Sequence, residues 1–590
     1  MKPASREARA TMVRSSIPRR REAVPRGRAG RGQKKETATK GALVAVVIVF
    51  GVTKQPCASS ACLVSSQPAR RSWTGSPEPR RVTRMYCPAP VHETGVFTGS
   101  LATKGAYAPQ KCALPGLPAP VRMSPMRHLN RAFALLVLSC LAACGGGGGG
   151  ASGSVGTGGD SGSGGATGPG QTLTLMLPAS GLAPADLAVV VAEGDALSEA
   201  VGAAYLAARG VPAANLVRVR VNTANDVISA ADFALLKADI DARLPAGVQA
   251  TLLTWAAPSR VFGTCSMGIT SAMAFGYDAR WCNPAPTTNT CAATAVSPLY
   301  DSESRRPQAD LQVRPSMLLG ARTVAAAQAL ISRGVAADAT RPGGDAWLVR
   351  TTDADRSVRW TDFAGLPTAW SGALTVNYLD NSSGPATGNS LSGRSGLLFY
   401  LTGLATVDQL ATLQFRPGAL ADTLTSFSGL LPSANGQTPV TAFLDAGATA
   451  SYGTVEEPCN PLQKFSRASV LIDHYWRGAT AIEAYWRAVQ WPGQGLFVGE
   501  PLAQPFRDTP SFAIVNGEYQ IKTRQLRPGS RYTLEYLQGG SWTALASFTG
   551  VRGQPLDGRA PLPPAAATQI RWVGPCPSNA ANRCTLAQST

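Results

Sequence analysis

From Leu187 onward, short apolar runs alternate with longer stretches in which apolar positions recur every three or four residues. Leu187–Val191 is an unbroken apolar run, the pattern of a strand covered on both faces. Ala196–Arg209 follows as a helix. Asp195 stands at its N-cap, Gly210 closes its end and Pro212 bars continuation. Leu216–Val221 and Gln249–Trp255 read as further strands, and between them Ser229 caps a helix over Ala230–Leu244. Later strand candidates are Ala346–Arg350, Leu397–Leu401, Val440–Leu444 and Gly495–Val498. Helices are expected over Val324–Arg333, Ser469–Trp476 and Ala481–Val489. The last opens on Thr480-Ala-Ile-Glu483, a capping box whose hydroxyl and carboxylate satisfy amides that a helix start leaves open. Non-alternating strands separated by helices predict an α/β domain over residues 173–506, with a mostly parallel sheet flanked by helices.

After Phe506 the period becomes two. Tyr519–Thr523 and Tyr532–Tyr536 alternate around the turn Arg527-Pro-Gly-Ser530, and Gln538-Gly-Gly-Ser541 makes a second turn before Trp542. Residues 507–590 therefore read as a small β-sandwich with a packing or accessory role.

The segment before the α/β pattern has a different character. From Met126 a basic stretch, Met-Arg-His-Leu-Asn-Arg, leads into the apolar run Ala132–Leu141 and then Ala142-Ala143-Cys144. The run is too short to cross a bilayer, and the order of parts is that of a secretory signal over 123–143. Its end resembles the bacterial lipobox, which implies that Cys144 is lipidated and that the partner is a membrane held through that anchor. Gly145 rather than Asp follows the cysteine, which in Gram-negative families implies the outer membrane. The Gly/Ser-rich residues 144–172 then form a tether with almost no apolar surface to bury. A signal peptide works at an N-terminus, so residues 1–122 are expected to be a spurious or disordered basic extension, with Met123 or Met126 as the start.

Charge changes the picture at one point. The chain carries a formal +19, but residues 1–122 hold 22 Lys and Arg against five Asp and Glu, and the signal adds Arg127 and Arg131. From Cys144 onward positive and negative charges balance. The high isoelectric point therefore gives no reason to expect a nucleic-acid partner. Of 12 cysteines, six lie beyond Cys144: Cys265, Cys282, Cys291, Cys459, Cys576 and Cys584. An even number in an exported chain points to disulfides, and Cys576 with Cys584 closes a short polar loop. The pairing of the other four stays open. Their spacing is not that of a zinc site, and no cofactor motif is present.

Several stretches resemble an uncharacterised family of exported bacterial proteins. They include Val189-Val-Val, Tyr205, Arg209-Gly-Val-Pro212 with Asn215, Arg314-Pro-Ser-Met317, Gly447-Ala-Thr-Ala-Ser-Tyr-Gly453, Glu457-Pro-Cys459, Gly478-Ala-Thr480 and Gly499-Glu-Pro-Leu502. Glu193 stands where that family's motif has Asn, and Gly499-Glu-Pro replaces the commoner Gly-Asp-Pro. The resemblance implies membership and no activity. Gly447–Gly453 and Gly499-Glu-Pro are also distantly similar to the end of gingipain-type cysteine peptidases, which implies a caspase-like fold and a His–Cys dyad. Against the dyad, Thr402-Gly-Leu404 puts a leucine where the histidine would stand, and Cys459 precedes His474 rather than following it.

The candidate residues follow from this. Cys459, His474 and Asp445 are the catalytic candidates, Asp445 as a carboxylate at a strand end. Arg260, Ser266, Tyr277 and Asp278 surround the loop Gly263–Gly268 and are the ligand-binding candidates, because open α/β sheets bind ligands beyond the carboxyl ends of strands. Trp476, Trp486 and Trp491 would make a sugar platform if exposed. The expected role is binding or assembly with an envelope protein or glycan. The alternative is a hydrolase, thiol- or carboxylate-dependent.

Overall fold

A computed structural model describes residues 172–283, 290–384 and 388–589. The expected signal peptide, Cys144, residues 1–122 and all but the end of the tether lie outside the described residues. In chain order the strands of the first domain are β1 (Leu187–Ala192), β2 (Leu216–Val219), β3 (Val227–Ser229), β4 (Ala250–Leu253), β5 (Arg260–Phe262), β6 (Ser266–Gly268), β7 (Ser316–Leu318), β8 (Asp345–Arg350), β9 (Thr375–Asp380), β10 (Ser395–Thr402), β11 (Gln414–Thr423), β12 (Ala450–Thr454) and β13 (Gly495–Gly499). Its helices are α1 (Ala196–Arg209), α2 (Ala230–Arg243), α3 (Ile269–Phe275), α4 (Pro307–Leu311), α5 (Val324–Ala337), α6 (Trp360–Phe363), α7 (Leu366–Ala369), α8 (Val440–Asp445), α9 (Ala468–Trp476) and α10 (Ala481–Ala488).

Ten strands form one sheet in the order β2-β1-β4-β7-β13-β12-β11-β10-β8-β9. Neighbours are parallel except β12 and β13, which are antiparallel. The sheet is therefore two parallel halves joined at β12–β13, with carboxyl ends at opposite edges. Both halves wind alike. The first strand lies inside (β1, β8), the second goes to the outer edge (β2, β9), and the third and fourth build inward (β4 then β7, β10 then β11). β1, β4, β12 and β13 are buried along their whole length, which explains their unbroken apolar or small-residue sequences. α1 packs against α5, and α9 against α10.

The sequence signals for α1 act as read: Asp195 accepts from the Ser198 amide, and Gly210 ends the helix with φ +63°. The Thr480–Glu483 capping box opens α10. One element differs in kind. Val440–Leu444, whose apolar run predicts a strand, forms helix α8 instead, with Val440, Phe443 and Leu444 buried at helical spacing. The strand of that region is β12, which begins within the glycine-rich Gly447–Gly453 stretch and ends at Thr454. β11 escaped a period-based reading because Pro417 and Gly418 interrupt it. Gly418 has φ +86°, and the pairing with β10 shifts register there.

The C-terminal module contains β14 (Ser511–Val515), β15 (Glu518–Thr523), β16 (Arg531–Gln538), β17 (Ser541–Thr549), β18 (Leu556–Pro561), β19 (Gln569–Pro575) and β20 (Arg583–Gln588). Two antiparallel sheets, β14-β15-β18 and β17-β16-β19-β20, share one apolar core around Tyr519, Ile521, Leu534, Ile570 and Trp572. Leu173, Leu175 and Leu177 point into that same core, and the Tyr519 hydroxyl donates to the Leu173 carbonyl at 2.7 Å. Among the described residues no helix is long and apolar enough to cross a membrane.

Candidate functional site

In each half the chain reverses its winding beside the first strand, and the crevice there is where such sheets take ligands. Here both crevices are closed by hydroxyls. Between β1 and β4, Ser198 Oγ accepts from the Ala192 amide at 2.9 Å and lies 2.6 Å from Thr254 Oγ1. Between β8 and β10, Ser357 Oγ accepts from the Thr351 amide at 2.8 Å, and Thr351 Oγ1 donates to the Gly403 carbonyl at 2.8 Å. Leu404 follows directly, its amide donating to Thr423 Oγ1.

The catalytic candidates do not converge. Cys459 is disulfide-bonded to Cys291. His474, on α9, is buried between Asp301 (Nε2 to Oδ1, 3.0 Å) and Arg477 (Nδ1 to Nη2, 3.1 Å), at the seam with the C-terminal module. Asp445 ends a helix rather than a strand and is exposed. The tryptophans make no platform. Trp486 is fully buried with its indole N–H on the Ser316 carbonyl, and Trp476 packs against Trp370 and Phe506.

The ligand-binding candidates divide. Tyr277 and Asp278 are engaged by their own loop. The Tyr277 hydroxyl accepts from the Cys265 amide (3.2 Å) and donates to its carbonyl (2.8 Å), and a Cβ on Gly263 would meet that hydroxyl at 2.4 Å. Asp278 accepts from the Arg280 amide and caps a short turn. Arg260 and Ser266 are brought together across the β5–β6 hairpin, Nη1 to Oγ 3.3 Å. They meet Glu456, just past β12, whose Oε2 accepts from the Ser266 amide at 2.8 Å. Burial pushes the Glu456 carboxyl up, against the pull of the Ser266 amide and Arg260. Lys464 completes the cluster. Its Nζ donates to the carbonyls of Thr290 (2.5 Å) and Pro458 (3.2 Å), and burial brings it down to about 8. Two disulfides, Cys265–Cys282 and Cys291–Cys459, brace this cluster, and Cys576–Cys584 closes a loop of the module. The sequence pointed to Arg260 and Ser266 and missed Glu456 and Lys464. The signal for Glu456 was its place beside Glu457-Pro-Cys459.

A second feature lies beyond the carboxyl end of β2. There the loop after β2, strand β3 and one side of α2 enclose an open groove of about 590 Å³. Val221, Ile228, Leu235 and Leu236 line it beside Asn222, Asn225 and the charged Arg220, Asp232 and Asp239. Leu235 is 73% exposed. β3 is an edge strand of the small sheet β3-β5-β6. The sequence reading missed this place; the polar loop Asn222–Asp226 directly after a strand is the signal that could have found it.

These features define a disulfide-stapled α/β protein with an appended antiparallel β-module. No family model matches the chain, and no curated protein matches it. Among solved structures it is similar to one described as "Structure of Protease", at 13% identity and a TM-score of 0.30, over 69% of this chain and 98% of that one.

Proposed function

We propose that this chain is an exported, lipid-anchored protein of the bacterial envelope that acts by binding, and that the groove beyond β2 receives an extended peptide segment of another envelope protein. The observation that carries this reading is the fate of its thiol and imidazole: Cys459 is spent in a disulfide and His474 has both ring nitrogens engaged. Three disulfides suit a compartment where thiols are oxidised. The basic, apolar and small-residue order ending at Cys144 supports export and anchoring. Apolar side chains lined up beside the amides of Asn222 and Asn225 fit apolar side chains and main-chain groups of an extended peptide. No aromatic ring lines the groove, which argues against a stacked sugar.

The test is an array of ten-residue peptides drawn from envelope proteins, probed with the full chain. Binding weakened about tenfold or more by Leu235→Asp, roughly 1.4 kcal/mol, with an unchanged melting temperature, is expected. Casein should stay intact with or without iodoacetamide, and Cys144→Ser should release the protein from the membrane fraction. Casein cleavage blocked by iodoacetamide, or peptide binding indifferent to Leu235→Asp, overturns the reading.

One observation favours a second reading, a carboxylate-dependent hydrolase. Glu456, raised by burial, lies in one cluster with Lys464, which burial lowers to about 8, and such opposed perturbations mark acid–base pairs. Hydrolysis of a peptide or glycan substrate, lost in Glu456→Gln without loss of stability, would select it.

A further inference from the structure

We propose that the seam between the α/β domain and the C-terminal module is an acid-sensitive latch, with His474 as its trigger. His474 is the sole histidine from Cys144 onward. Its proton inventory is fixed by Arg477. That guanidinium donates from Nε to Asp473 (2.8 Å), from Nη1 to Glu303 Oε2 (2.9 Å) and the Gln525 carbonyl (3.2 Å), and from Nη2 to Glu303 Oε1 (2.9 Å). An arginine has five N–H donors and no acceptor, so the fifth points at His474 Nδ1, 3.1 Å away. Nδ1 therefore carries a lone pair, and the proton of the neutral ring sits on Nε2, donated to Asp301.

The seam runs through the same groups. Arg477 reaches the module at the Gln525 carbonyl. Arg527, from the module, donates to the Asp301 carbonyl (3.0 Å), to the Asp301 carboxylate and to Glu303 (3.1 Å). Asp473, on α9, pairs with Arg552 of the module at 3.4 Å. Behind Glu303 lie Arg305 and Tyr532, and Arg487 also faces the ring.

A second proton on the ring must go to Nδ1. There it would set an N–H against an N–H and a cation against Arg477, whose four other hydrogen bonds stop it from turning away. Asp301 and Glu303 favour the charged ring. Burial and Arg477 oppose it more strongly, so His474 is held below the usual histidine range. A hydrated ring in an opened seam titrates near 6.5. The closed seam thus has its full stability above about pH 6.5 and loses it as pH falls, by up to roughly tenfold per pH unit for one proton. Asp301 is also shifted down. Burial alone would raise it, but its hydrogen bonds from His474 and Arg527 outweigh that, so its own contribution is lost only below about pH 4.

Hydrogen–deuterium exchange of the full chain at pH 7.5, 6.5 and 5.5, corrected for intrinsic rates, tests this. Protection over residues 301–303 and 524–527 should fall about tenfold from pH 7.5 to 5.5, while β1 and β4 hold theirs. His474→Asn keeps one acceptor and one donor without titrating, and its seam should be indifferent to pH across this range. A wild-type seam that ignores pH, or a His474→Asn seam that loosens as the wild type does, overturns the proposal. Should that variant fail to fold, proton NMR of the wild type still decides. One histidine must titrate clearly below 6.5, and a chain whose histidines all titrate at 6.5 or above refutes the latch.

Discussion

In the β1 half of the sheet, the first strand ends at Ala192, whose amide is taken by the hydroxyl of Ser198, six residues on. In the β8 half, Thr351 is closed by Ser357 at the same spacing. Each half also buries an arginine against carboxylate, Arg209 between Glu500 and Asp338 in the β1 half and Arg359 on Asp422 in the β8 half. Arg209 meets Glu500, which also takes the Tyr205 hydroxyl at 2.5 Å, and Arg359 meets Asp422 at 2.6 Å with Ser466 on its other oxygen. What differs is the chain that follows the first strand. In the β1 half it becomes the 14-residue α1, which covers the sheet. In the β8 half it breaks into α6 and α7 of four residues each. The β8 half consequently leaves a part-exposed polar chain, Asp353 to Arg356 to Thr425 to Gln437. Closure of the crevices is common to both halves and belongs to the frame. Surface for recognition is set by the covering segments.

The largest effects should come from the buried pairs. Asp422→Ala strands the buried Arg359 and should cost about 3–5 kcal/mol in urea unfolding, whereas Glu500→Ala leaves Arg209 its second partner, Asp338, and should cost less. Equal costs would show that Asp338 adds nothing to the hold on Arg209. Ser198→Ala and Ser357→Ala each leave a buried amide unpaired and should cost about 1–3 kcal/mol. Unequal losses there would show that the matching hydroxyls do different jobs. The smallest effect is expected at the rim of the groove. Arg220, paired with Glu193 at 3.3 Å, has a side chain 90% exposed, so Arg220→Ala should leave unfolding unchanged. Any effect it has should fall on peptide binding.

The start of the first half was legible because its helices carried their own punctuation: Asp195, Gly210 and Ser229 mark helix ends that the structure keeps, whereas the three-residue strands β3, β5, β6 and β7 are too short to show a period. The second half was read less completely. β11 is broken by Pro417-Gly418, β12 lies in a glycine-rich stretch that reads as a turn, and α8 has an apolar run short enough for either state. The Glu456–Lys464 cluster was half visible. Arg260 and Ser266 lie within seven residues of each other, but Glu456 reaches Ser266 across 190 positions of sequence. No local pattern encodes such a meeting. The pairing of Cys291 with Cys459, 168 residues apart, was hidden for the same reason.

Leu173, Leu175 and Leu177, the first described leucines, dock in the core of the last domain of the chain. The α/β domain is thus strung between two segments that share one core. Tension applied at residue 172 meets the module first. The Leu173–Leu177 segment and its Tyr519 bond to Leu173 must peel away before any load reaches β1. Under such a pull the β-module is a mechanical fuse in front of the ten-stranded sheet.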